Sequence, residues 1–474
     1  MEQGVMQDQE TVKQLRLDKV LDKAIKLGAT YADIRYQSYD SEMIAVENKT
    51  LESYASRRLS GLGIRVNVKG AFGYASTSNL SVGSIDDTVN RAVKTAKAVR
   101  GKEETFAKAR PLETKVSSPV KIDFQNVSPE EKVAVTLEAN KAAWVGDKIK
   151  NATTRLGFVK DSRLFMSSEG AEVSVETSIG GVMHVSVAQV NGVMEWVPYS
   201  DSMCAGFEFI KSKDWNTFTE DISRLAIEAA GSKTPPSGTC TVVVDPDVVG
   251  LVLHEAFGHA SEGDLVFTGE SVLNKRVGDK LAADSVTIVD EGTTRGGYFY
   301  PYDDEGTKKG RTVVVENGTL KNYIHDRNSA LKFGEKSTGN GRAQDFENLP
   351  IVRQTNYYME PQDWKFDELV EDIDTGVYVR GRGSTGGEVE VGMGTFTFGV
   401  GPSKLIEKGE LTETVRGVVI SGLILETLKT IDAVGKDLHV RTGVFGGCGK
   451  NDQRVLVGFG GPHVRVGKMT VGGR

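Results

Sequence analysis

Apolar residues recur at helical spacing through residues 11–27, at Val12, Leu17, Val20, Leu21, Ala24 and Ile25, and Gly28 stands where such a helix would stop. From 29 to 80 the period becomes two. Tyr31-Ala32-Asp33-Ile34-Arg35-Tyr36 and Leu62-Gly63-Ile64-Arg65-Val66-Asn67-Val68 alternate as strands between glycine and asparagine turns. A second helix is expected to start at Ser84, whose hydroxyl can cap free amides ahead of the stripe Ile85, Val89, Ala92, Val93 and Ala96. A third has Ser128 as cap, Pro129 in its first turn and Glu131 at the capping-box position. Strands return over 151–214, as in Val173-Ser174-Val175-Glu176-Thr177-Ser178, and a further helix is expected from Trp215 to Ala230.

Helix, strands, helix therefore occurs twice, around 10–100 and around 128–230. Residue identity does not repeat, so the expectation is a duplicated organisation. The polar, breaker-rich run Gly231-Ser232-Lys233-Thr234-Pro235-Pro236-Ser237-Gly238 marks a boundary. Beyond it come a buried strand at 241–244, a short helix opened by Asp245-Pro246-Asp247, and a long region of strands and glycine turns. Asp326 to Phe333 is the other helix signal there, and 395–400 and 454–459 look like core strands. The expected class is α+β, with an N-terminal α/β domain over 1–232. A β-rich, barrel-like C-terminal domain over 239–474 carries the short helix.

The chain opens Met1-Glu2-Gln3-Gly4-Val5 without a basic stretch leading into an apolar one, and no segment approaches the roughly 18 apolar residues of a membrane span. A cytoplasmic protein without a membrane partner is expected. Three cysteines, Cys204, Cys240 and Cys448, are too few and too odd for a disulfide framework. Cys204 and Cys240 read as small buried hydrophobes. With 58 Lys plus Arg against 65 Asp plus Glu, the net charge of -7 offers no electrostatic reason to bind nucleic acid.

The segment from Val248 to His259 begins apolar and turns polar, as suits a core helix delivering side chains to a cleft. His254, Glu255 and His259 stand at i, i+1 and i+5. The familiar zinc helix places its histidines at i and i+4. One residue later, the second ring lies about 140° round a regular helix from the first. The helix must widen into a π-type turn or break at Gly258 if both are to meet one metal. Cys448, in Gly446-Gly447-Cys448-Gly449-Lys450, would complete a three-ligand site with a fourth position open, the pattern of a catalytic zinc. Lys450 is placed to favour the thiolate, and Glu255 to act as general base. Spacing alone leaves two alternatives open, a chance pair of histidines in a polar helix end and a free surface thiol at Cys448.

The run His254-Glu255-Ala256-Phe257-Gly258-His259-Ala260-Ser261-Glu262-Gly263-Asp264 resembles the signature helix of the TldD/PmbA family of metalloproteases, also described as modulators of DNA gyrase. Asp303-Asp304-Glu305-Gly306, Ser337-Thr338-Gly339-Asn340-Gly341-Arg342 and the final turn with Lys450, Asp452 and Gln453 extend the likeness. The resemblance implies Zn2+ held by His254, His259 and Cys448, Glu255 as catalytic base, and an active TldD-type member. It also implies hydrolysis of peptides or unfolded segments, and a homodimer or a heterodimer with a PmbA/TldE-type subunit lacking this set. Glu262 and Asp264 are expected to support the ligands or anchor the loop, and His325 is a further candidate.

The rival function is a non-catalytic peptide-binding or assembly subunit with a structural metal, which would need neither Glu255 nor an open coordination position. Direct nucleic-acid binding is not expected, for want of an Arg- or Lys-rich recognition helix. Gly381-Arg382-Gly383-Ser384-Thr385-Gly386 fits a dinucleotide fingerprint but is followed by a strand-like run instead of a helix. Gly449-Lys450 lacks the Ser or Thr and the leading glycine of a P-loop.

Overall fold

The computed structural model describes residues 15–99, 106–107, 109 and 111–473, so residues 11–14 of the first expected helix lie outside it. Helix α1, Leu17–Lys26, turns Leu17, Val20, Leu21 and Ala24 inward. Three strands follow, β1 (Tyr31–Glu47), β2 (Thr50–Val68) and β3 (Ala71–Thr77), then helix α2 (Val82–Ala98). The second half of this region contains β4 (Glu113–Ser117), α3 (Pro129–Ala142), β5 (Ile149–Ser167), β6 (Glu172–Val190), β7 (Val193–Met203) and α4 (Trp215–Ala230). Helix, three long strands and helix thus recur in order. All seven strands share one sheet, ordered β3-β2-β1-β5-β6-β4 with β7 also on β6. The two halves join through antiparallel β1 and β5, in register from Asp33 opposite Ser167 to Glu47 opposite Thr153.

The cap of α2 is Ser81, where Ser84 was expected. Ser81 keeps an extended backbone and its hydroxyl accepts the Ser84 amide, whereas Ser84 is already helical. Ser128 caps α3 as expected, accepting the Glu131 amide at 3.2 Å.

Helices cover one face of this sheet, packing on Ile34, Tyr36, Leu62, Ile64 and Val66 in the first half and on Ile44, Leu156 and Phe158 in the second. The alternate residues Asp33, Arg35 and Gln37 face the other way and are nevertheless buried. Period-two alternation marks a strand with one wet face; here the C-terminal region covers these residues, Arg35 donating to the Asn348 carbonyl and Gln37 accepting the Phe346 amide, while Asp33 accepts from Arg65.

The C-terminal region is β-rich. Strand β8 (Gly238–Val244) lies parallel to Thr375–Arg380 and antiparallel to Val464–Gly473 in a nine-stranded sheet. That sheet runs from Gly386–Glu390 to Glu410–Val415, and these two end strands do not pair with each other. The described strands therefore leave it open, where a barrel-like domain was expected. Other alternating segments, including Ile288–Glu291 and Asn356–Met359, hydrogen-bond into a separate six-stranded sheet. The expected core strand at 454–459 is likewise divided: Gln453–Val455 pairs with Cys448–Lys450, and Gly458–Gly461 joins the six-stranded sheet.

Helix α5, Pro246–Val252, is capped by Asp245, whose carboxylate accepts the Val248 amide at 2.9 Å. It packs so closely on Gly458–Gly461 that a Cβ on Gly250 would come within 2.5 Å of the Gly460 nitrogen. Among the described residues no helix is long and apolar enough to cross a membrane.

Candidate metal centre

Helix α5 runs directly into a π-helical turn, Leu253–Gly258, closed by the His259 amide bonding to the His254 carbonyl. Of the two routes open to an i, i+5 pair, widening is the one taken. The hydrogen bond now spans five residues instead of four, which widens the turn and brings the histidines towards the same side, with ring centroids 5.2 Å apart at 76°. Gly258 keeps a helical backbone, with φ -62 and ψ -49. Its glycine identity serves space and not unwinding, since a Cβ there would lie 2.1 Å from the Gln354 Oε1. The Gln354 amide in turn donates to the His254 carbonyl at 3.0 Å.

Cys448 reaches this turn from the far end of the chain. It opens a short strand, Cys448–Lys450, paired with Gln453–Val455. Its Sγ lies 3.1 Å from His259 Nε2, and one potential ligand atom from each of His254, His259 and Cys448 falls within 4.8 Å of the others. Buried Arg353 steadies the strand by donating to the carbonyls of Cys448 and Gln453.

The His259 ring is oriented from behind. Its Nδ1 lies 3.2 Å from Glu262 Oε2, so Nε2 faces the thiol. Glu262 also accepts from Lys450 Nζ at 2.8 Å, and the same ammonium reaches both oxygens of Asp264 at 2.8 Å. Burial opposes charge on Glu262, but Lys450 and His259 outweigh it and bring its carboxyl down to about 2. Burial likewise opposes charge on His259 and on Cys448. Glu262 and Cys448 hold the imidazole above its usual value, and the two histidines hold the thiol well below its own. Lys450, expected to favour the thiolate, instead neutralises the carboxylates beside it.

Two imidazoles and an easily ionised thiol are a donor set suited to zinc. His254 Nδ1 is buried without a hydrogen-bond partner, a costly state for a ring nitrogen. The Glu255 carboxylate stands beside the cluster, about one-third exposed and 3.8 Å from His259 Nε2. It lines a cavity of about 220 Å3 together with His254, Cys448, Leu251, Arg441 and Phe459. The residues present thus fit a metal, which His254, His259 and Cys448 would hold at the edge of this cavity.

The remaining sequence candidates lie apart from this cluster. His325 packs on Gly263 and bonds Ser329 through Nδ1, and burial lowers its pKa to about 4. His184 lies inside the N-terminal sheet between Thr154 and Ser186. Asp304 and Glu305 pair with Arg163 and Arg65 of that sheet. Cys204 is buried as expected, and Cys240 only half so. Gly381–Gly386 leads into a strand, Gly386–Glu390, as its sequence suggested. Gln354 and Arg353, which shape the centre, were not foreseen: they carry no local motif and meet it only through folding.

Comparison with known proteins follows the same outline. Residues 32–96 match the family model described as PmbA/TldA metallopeptidase domain 1, residues 122–232 the central domain, and residues 237–473 the C-terminal domain. The chain is 36% identical over 447 residues to a metalloprotease of Methanothermobacter thermautotrophicus, covering 94% of this chain and 95% of that one. It is 31% identical over 461 residues to a protein of Saccharolobus solfataricus named zinc metalloprotease TldD homolog, covering 96% and 99%. Its fold is shared by TldE from Thermococcus kodakarensis, with a TM-score of 0.79 at 19% identity over 96% of this chain and 100% of that one.

Proposed function

Because the chain belongs to the TldD/PmbA metallopeptidase family and is a metallopeptidase, we propose that it hydrolyses peptide bonds in peptides or unfolded polypeptide segments with Zn2+ held by His254, His259 and Cys448. The observation that carries this reading is the convergence of those three side chains at the wall of a cleft that Glu255 also lines.

Zinc, when bound, supplies Lewis-acid polarisation of the scissile carbonyl and brings the pKa of water toward neutrality. Glu255, free of a ligand role and open to the cleft, takes the proton from the attacking water and returns it to the leaving amine. Glu262 fixes His259 with Nε2 forward, so that the imidazole presents its lone pair to the centre. The apolar faces of Leu251, Val457 and Phe459 restrict water around the reacting bond.

On this reading the chain divides near 232–239 into the two domains 1–232 and 239–474, and works in the cytoplasm. It pairs with its own copy or with a PmbA/TldE-type subunit. The pairing is supported by β2, whose residues 50–59 are exposed and whose outer edge is taken by β3 only from Leu62 onward.

Bound-metal analysis combined with cleavage of a flexible peptide tests the proposal. Glu255→Gln should retain about one metal per chain and lose at least about 100-fold in hydrolysis, the lower scale of general acid–base catalysis. Activity surviving that change would sink the role of Glu255. Metal retained in full by Cys448→Ala would sink the third ligand.

A further inference from the structure

Beside the metal cleft lies a much larger cavity, of about 890 Å3, between the polar face of the N-terminal sheet and the C-terminal region. The N-terminal sheet lines it with a mixture of apolar and polar residues of β1, β2 and β5, among them Met43, Ala45 and Val159 beside Gln37, Asp161 and Arg163. Its rim carries both signs of charge, Arg57, Arg155 and Arg454 against Glu52, Asp345 and Glu347, so shape and not net charge must do the selecting. The two cavities share a boundary: Phe445 and Gly446 line both.

The Phe445 ring is seated across that boundary on the N-terminal sheet. A Cβ added to Gly157 of β5 would come within 2.9 Å of Phe445 Cε1 and 3.2 Å of both Phe445 Cζ and the Met43 methyl. Val444, one residue earlier, donates its amide to Ser202 at 3.3 Å, which ties the loop to β7. Gly446 and Gly447 follow without side chains. An extended chain lying in both cavities must therefore pass the edge of this aromatic ring.

Resting on the reading of this centre as a peptide-hydrolysing site, we propose that Phe445 is a specificity-determining residue. Its ring is the wall between the metal cleft and the sheet-lined cavity, and it restricts the substrate position that crosses between them to small side chains. The ring contributes no chemistry; it acts on the substrate by exclusion, as an apolar wall does in any subsite.

The test uses the full-length metal-loaded enzyme and a library of flexible peptides that vary glycine, alanine, leucine and phenylalanine around the cleavage point, with products assigned by mass spectrometry. Wild type should favour glycine or alanine at one position flanking the scissile bond. In Phe445→Ala the kcat/KM ratio for leucine over alanine at that position should rise by about 10-fold, the scale of a changed apolar subsite. Phe445→Leu, which keeps an apolar side chain in the loop, should lie between the two. Gly157→Ala should change the ratio in the wild-type background and change it less when combined with Phe445→Ala, where only the flexible Met43 methyl is left in close contact. If wild type cleaves but Phe445→Ala leaves the ratio within about two-fold, the inference is overturned while the hydrolytic reading stands. Loss of bound metal from both Phe445 variants would also overturn it, in favour of a role in holding Cys448. Absence of cleavage by metal-loaded wild type would instead defeat the reading on which it rests.

Discussion

Single side chains set the electrostatics of the centre, and Glu262 is the most consequential that is neither ligand nor base. Its carboxylate holds His259 Nδ1 and is itself neutralised by Lys450, so the ring cannot rotate without losing a buried, charge-assisted contact. Glu262→Gln keeps the shape and removes the charge. It should weaken metal affinity about 10–100-fold, as read by competition with a chromogenic chelator. A second residue-scale consequence concerns His184, which burial holds neutral with its pKa lowered to about 3 from 6.5. Its two nitrogens are both in hydrogen bonds, to Thr154 and Ser186. A histidine whose folded pKa is depressed favours the folded state at pH above 6.5, and that contribution is lost as pH falls toward 3. Unfolding free energy should therefore decline on acidification by about 1.4 kcal/mol per pH unit from this group. Denaturant midpoints across pH 6.5 to 4 should show that slope, and His184→Gln should remove it.

At the scale of an element, the π-turn is where helix geometry was made to yield to chemistry. An α-helix places residues five apart on different sides, and the extra residue of Leu253–Gly258 corrects this. The turn holds because Gln354 bonds the His254 carbonyl and lies flat against the α-carbon of Gly258. Gly258→Ala should thus act as overpacking, costing about 1–3 kcal/mol by denaturant unfolding, despite alanine's better helix propensity. Equal stability of Gly258→Ala and wild type would contradict this account.

For the whole molecule, the question is what holds the N-terminal sheet over the C-terminal region. Arg65 of β2 bonds Asp33 of its own sheet and Glu305 across the seam, all three nearly inaccessible to solvent. Arg163 of β5 does likewise with Asp161 and Asp304, and reaches the carbonyls of Ala343 and Gln344. Cutting one partner leaves carboxylates buried and unpaired, so Arg65→Met should destabilise the protein by about 3–5 kcal/mol. Thermal unfolding should show it as a large fall in Tm; a shift within error would mean that water enters the seam. The acidic motif at 303–306 was visible as a string of letters, but its partners lie about 140 and 240 positions away along the chain, beyond the reach of any local pattern. The same divide runs through the molecule. Local signals were enough to find α3, through Ser128, Pro129 and Glu131, and the strand-rich stretches, through their alternation, because caps and half-buried strands are decided by neighbours in sequence. Local spacing also named His254, Glu255 and His259 as candidates, and the family resemblance assigned their roles. Only the tertiary structure decided that this turn widens and stays helical, that β1 is buried on both faces, and that the C-terminal strands divide between two large sheets. It also brought Cys448 to the histidines and Gln354 to Gly258. Those outcomes depend on which distant surfaces meet, and the hydrogen bonds and close contacts that choose among them do not exist until the chain has folded.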